Sequence, residues 1–238
     1  MIPDELEKKN RPPEFDVKIY PPKSITLASE EKMVVRQCER REIGVLLDTI
    51  FPLMQAKTHY YDLVAARMVA ELLGWYHYRI ANFFVLAGVI DGEIAGLATS
   101  RLVDKKLGMS LHTIAIRRGL RVGAQLFAAK MEHHFDILEQ EEVWVIVESP
   151  VSLKRLMIEY ALLDRAEEYP AIRHESGGVP THVLTRANYE ASRERMVAGS
   201  RPLDEELAQS AAVLRAPLVY PQIPGYTRSR AGQRIGSN

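Results

Sequence analysis

The sequence is poor in cysteine, with Cys38 the single one among 238 residues. One thiol closes no internal disulfide, and no second thiol is present to share a structural zinc, so a disulfide scaffold and a cysteine-based zinc fold are excluded. No apolar run approaches the roughly 20 residues that a bilayer-crossing helix needs. The opening Met1-Ile2-Pro3-Asp4-Glu5-Leu6-Glu7 is acidic and lacks the basic-then-apolar order of a signal peptide. A cytoplasmic location and no membrane partner are therefore expected. Neither sign of charge is in excess, since Lys plus Arg and Asp plus Glu each number 31. Nucleic-acid binders gain affinity by displacing counterions and carry a basic surplus, so nucleic acid is not an expected partner. A Ser/His/Asp hydrolase signature, a Walker loop, a dinucleotide fingerprint and internal repeats are all missing.

What remains is a composition that can build a core, 47% hydrophobic and 26% charged. Three stretches differ in character. Residues 1–30 carry Pro3, Pro12, Pro13, Pro21 and Pro22 and read as an extended arm, because proline removes donors and restricts its neighbours. Residues 31–188 hold the periodic segments. Residues 189–238 read as two short polar helices followed by a basic, proline-bearing tail.

Within the middle stretch, Met33-Val34-Val35-Arg36 reads as a strand and residues 40–55 as a helix with Ile43, Leu46, Leu47, Ile50 and Leu53 at helical spacing. A second helix is expected over residues 60–73, stopped at Gly74. Two β-rich runs flank Asp91-Gly92, a strong hairpin signal because a type I′ turn needs positive φ at both central residues. A third strand follows over residues 109–116, then a helix over 123–138, a buried strand Val143-Trp144-Val145-Ile146-Val147, a helix over 153–163 and a last strand over 181–185. The fold class implied is α/β (α+β): a mixed, mostly antiparallel central sheet flanked by helices.

Chemistry concentrates in two places. Arg117-Arg118-Gly119-Leu120-Arg121-Val122-Gly123-Ala124 opens the helix that follows the third strand. Amide N–H groups at a helix N-terminus, with arginines beside them, suit an anion. The second place is Tyr160, in the helix after the buried strand. Together with the element order, these features make residues 32–186 resemble the GCN5-related N-acetyltransferase (GNAT) superfamily, whose phosphate loop reads Arg/Gln-x-x-Gly-x-Gly/Ala. Arg121 stands at the first glycine of that pattern, and the loop is short.

The resemblance implies acetyl-coenzyme A as acyl donor, an amine as acceptor and direct transfer between them. It assigns Arg118, Gly119, Leu120, Arg121, Val122, Gly123 and Ala124 to the diphosphate, and Ile114, Ala115 and Ile116, with Thr113, to a strand edge that holds the pantetheine arm. Tyr160 is the implied general acid, with Glu148 and His112 the candidates for the base. No metal is expected. A rival reading keeps the shape without the chemistry: an assembly component of a multi-subunit particle, viral ones included, joined through residues 1–30 and 189–238. His133, His134 and Asp136 read as solvated helix residues, and Trp75-Tyr76-His77-Tyr78 as cover for the core or the wall of an acceptor pocket.

Overall fold

The computed structural model describes residues 3–15, 17–55, 60–147, 149–168, 173–174 and 181–220. Its centre is one eight-stranded sheet. In chain order the strands are β1 (Lys23–Thr26), β2 (Lys32–Gln37), β3 (Phe83–Ile90), β4 (Glu93–Leu102), β5 (Leu107–Ala115), β6 (Glu142–Val145), β7 (Leu163–Asp164) and β8 (His182–Thr185). Across the sheet they run β1-β2-β3-β4-β5-β6-β8-β7. Every pairing is antiparallel except β5 with β6, which is parallel. The helices are α1 (Pro3–Lys9), α2 (Ile43–Ile50), α3 (Tyr60–Tyr76), α4 (Val122–Glu132), α5 (Pro150–Tyr160), α6 (Arg186–Met196) and α7 (Glu205–Ala212).

Burial follows from period. All eight residues of β3 are buried, which requires cover on both sheet faces. One face packs on α2 and α3 through Leu46, Ile50, Met68, Leu72, Val85, Leu97 and Leu111. The other packs on α4 through Phe84, Leu86, Ala98, Val122 and Leu126. A third cluster joins α4, β6, β8, α5 and α6 through Phe127, Phe135, Val145, Tyr160, Leu184 and Tyr189.

The β3–β4 turn has φ of 51° at Asp91 and 78° at Gly92, the signs its sequence predicts. Elsewhere the structure differs from expectation. Helix α3 runs through Gly74 instead of stopping there. A Cβ on Gly74 would sit 2.7 Å from Ile80 Cδ1, so this glycine admits the chain folding back beneath it. The stretch expected as an arm contains β1, paired in register with β2 from Lys23↔Val35 to Thr26↔Lys32.

His133 and His134 are wholly buried rather than solvated. The end of α4 widens into a π turn over His133–Ile137, closed by Leu138 N–H to His133 O at 2.9 Å. That turn directs both rings at the sheet, where His134 Nε2 meets Ser100 Oγ at 2.5 Å and His133 stands edge-on to Phe84. Burial pushes both imidazoles down to about 3 and keeps them neutral. The polar helix α6 is equally integral, since Tyr189 is buried and stacked on Phe135 at 4.6 Å. Trp75 lies in the core and packs on Phe83. Among the described residues, no helix is long and apolar enough to cross a membrane.

Candidate active site

Strands β5 and β6 pair over only four positions, from Leu107↔Glu142 to Ser110↔Val145. A last bond, Ile146 N–H to Ser110 O at 3.0 Å, closes the pairing, and the two chains then separate. A β-bulge coincides with the divergence: the β4–β5 register shifts between Ala98 and Ser100, and the Thr99 side chain bonds the His112 backbone. The wedge opens into a cavity of about 460 Å³. Its walls include Ser110 to Thr113 and Ala115 from β5, Val145 at the end of β6 with Ile146 and Val147 after it, Tyr61 from α3, the start of α4 and Tyr160 from α5.

The start of α4 leaves backbone donors open at the cavity. Gln125 N–H to Arg121 O, at 3.1 Å, is its first helical bond, so the amides of Val122, Gly123 and Ala124 have no acceptor within the helix. The Arg121 side chain does not cap them. Arg121 stands in the left-handed region with φ 61°, the conformation a glycine would take there, and Gly119 has φ 83°. The guanidinium groups line the opening without filling it. Arg117 pairs with Glu31 at 2.7 Å, and Arg118 lies over the Tyr61 ring. Arg155 and Arg121 meet Glu159 at 2.8 and 3.6 Å.

Of the expected contacts, Thr113, Ala115, Arg118, Gly119, Arg121, Val122, Gly123 and Ala124 border the cavity. Ile114 and Ile116 do not; both side chains point into the core. Leu120 packs against the core on the α4 face. The Ala115 carbonyl accepts the Tyr61 hydroxyl at 2.9 Å.

Tyr160 is 1% exposed, edge-on to Phe127, and its hydroxyl has no hydrogen-bond partner among the described residues. Burial, aided by Glu159, pushes its pKa up, so the hydroxyl keeps its proton at physiological pH. His112 borders the cavity, with its Nδ1 2.5 Å from Glu71 Oε1. Glu148 lies outside the described residues. Cys38 is buried in the core, its thiol pushed up to about 12, and takes no part in the cavity.

Two residues escaped the sequence reading. Glu71 is wholly buried on α3 and Lys130 wholly buried on α4. Lys130 forms part of the cavity wall and donates toward Thr99 O, His112 O and Thr113 Oγ1 at 3.3, 3.4 and 3.0 Å. Burial pushes its amine down to about 7, with Glu71 pulling the other way. The available signal was position: Glu71 interrupts the apolar stripe of Val64, Met68, Leu72 and Trp75, and Lys130 follows Phe127, Ala128 and Ala129. No group of three or more metal-ligating side chains occurs among the described residues.

No family model and no curated protein matches the sequence. Solved structures do match its fold. An uncharacterized protein from Bacillus halodurans aligns at TM-score 0.52 and 9% identity, covering 75% of this chain and 97% of that one. RimJ from Mycobacterium smegmatis, solved in complex with CoA-disulfide, aligns at TM-score 0.51 and 10% identity, covering 74% and 93%. The chain thus has the fold of the GNAT acetyltransferases.

Proposed function

We propose that the protein is an acyl-coenzyme A-dependent N-acyltransferase that moves an acetyl group to an amine within a ternary complex. The observation that carries this reading is the wedge between β5 and β6. It joins, in one cavity, helix amides with no acceptor in their own helix, arginines and a tyrosine hydroxyl with no partner among the described residues. Those groups fit the two ends of an acyl-coenzyme A. The α4 amides with Arg118 and Arg121 bind the diphosphate, and the open edge at Thr113 and Ala115 holds the pantetheine arm by strand-like bonding.

The acceptor amine attacks the thioester carbonyl, forming the C–N bond as the C–S bond breaks. His112 takes the proton the amine releases. Tyr160 gives its hydroxyl proton to the departing sulfur, a role suited to a group that holds that proton at neutral pH. The rival assembly role drew on Arg121 and the short loop. Against it, Arg121 takes up the left-handed conformation and the cavity stays open beside it.

Thermal unfolding tests the reading. Acetyl-coenzyme A at 100 times its Kd adds about 2.7 kcal/mol, a rise of roughly 5–10 °C for a chain of this size. No shift at millimolar acetyl-coenzyme A would remove the reading and leave the assembly role.

A further inference from the structure

Buried polar groups converge where β5 bulges. Glu71, wholly buried, receives the Thr99 hydroxyl on Oε2 at 2.5 Å. Its Oε1 lies 2.5 Å from His112 Nδ1 and 3.0 Å from His174 Nε2. A carboxylate without water survives only with such partners. Burial raises its pKa, while the hydrogen bonds of His112 and His174, joined by their charge when protonated, hold it below the usual carboxylate range. An ionised carboxylate only accepts hydrogen bonds, so the ring nitrogen facing it must carry the proton. The neutral imidazole then has its lone pair on Nε2.

We propose that Glu71 is a positioning residue that fixes the proton of His112 on Nδ1, presenting Nε2 as the base that takes the acceptor amine's proton. The inference rests on the acyltransferase reading and adds to it the group that orients the base. Thr99 holds the second carboxylate oxygen, so the carboxylate cannot turn away from the ring. The bulge matters because it brings the Thr99 side chain to the His112 N–H at 3.1 Å, tying carboxylate, hydroxyl and histidine into one unit. Among the described residues, the titratable groups around His112 are Glu71 from α3, His174, and Lys130 from α4, whose Nζ lies 3.4 Å from His112 O. The imidazolium formed on proton uptake is stabilised by Glu71 and opposed by a charged Lys130.

The test is nitrogen NMR of the full chain labelled with 15N-histidine, with His112 assigned through His112→Gln. The expected result is an Nδ1–H neutral tautomer and a titration midpoint that falls by about one pH unit or more in Glu71→Gln. In parallel, thiol release from acetyl-coenzyme A with propylamine as acceptor should show an acid limb of kcat/KM that moves to lower pH in the same variant. Glu71→Asp should restore part of both. An Nε2–H tautomer in the wild type, or a midpoint and limb unmoved by Glu71→Gln, would overturn the inference. If Glu71→Gln does not fold, the wild-type tautomer decides. A wild type that neither binds acetyl-coenzyme A nor releases its thiol fails the acyltransferase reading and the base role with it, whichever nitrogen holds the proton.

Discussion

Arg121 shows what one side chain costs and contributes. Its φ of 61° is disfavoured for any residue with a Cβ by about 1–2 kcal/mol. Arg121→Gly removes that strain but adds chain freedom in the unfolded state, so stability should change by less than about 1 kcal/mol. The cation at the opening is lost as well, and calorimetry should show weaker acetyl-coenzyme A binding. Tyr160→Phe separates differently. The hydroxyl has no partner among the described residues to lose, so thermal stability should hold or rise. Turnover should fall roughly 10²-fold, the usual contribution of a proton donor, while the ligand-induced thermal shift persists.

Lys130 gives a pH signature. Its folded pKa, about 7, lies below the ordinary 10.5, so between those values the unfolded chain binds a proton that the native state does not. The lysine's contribution to stability therefore improves as pH rises from 7 toward 10.5. Lys130→Met should stabilise most at or below pH 7, with the gain shrinking through that window in urea titrations. The Gly- and Arg-rich turn before α4 stood out by its local composition and Tyr160 by its place in the order of elements, and both border the cavity. Glu71 and Lys130 were not, because a buried charge is compensated by partners distant in sequence, Thr99 and His112 among them.

Among elements, those with a clear period were read correctly in kind. The β3–β4 hairpin and the helices α2 to α5 follow from spacing and turn chemistry. Strand β1 was hidden by the prolines around it and by Lys23, a charged residue on its inner face that is buried only because Glu132 lies 2.7 Å away. The π turn after α4 leaves no trace in a 3.6-residue period, and with it went the burial of His133 and His134. The contact of α4 with the sheet depends on Gly96, where a Cβ would come within 2.7 Å of Ile114 O and 2.9 Å of both Leu126 and Val122. Backbone on one side cannot give way, so Gly96→Ala should cost about 1–3 kcal/mol. It should also lift the start of α4 and weaken acetyl-coenzyme A binding, measured by denaturant melts and calorimetry.

For the whole molecule, the C-terminal stretch is tied in at several points. Arg201 meets Glu132 at 2.9 Å, and Glu132 also accepts from Tyr20 and Lys23. Arg215 bonds Gly92 and Ile94 across the β3–β4 turn. Truncation after Thr185 should therefore unfold the chain rather than trim it, as should Tyr189→Ala in milder form, at about 3–5 kcal/mol. Glu132, held at about 2 by Arg201, Lys23 and Tyr20 against the effect of burial, lends stability above its ordinary 4.5 that is lost as pH falls through 2. The short parallel contact between β5 and β6 has a mechanical meaning as well. Five strands stand on one side of it and three on the other, stitched by four residue pairs and by α4, whose Phe127 and Leu126 belong to different cores. That joint is a seam. A molecule lodged in the wedge would act as a rivet between two half-sheets, holding the seam against parting.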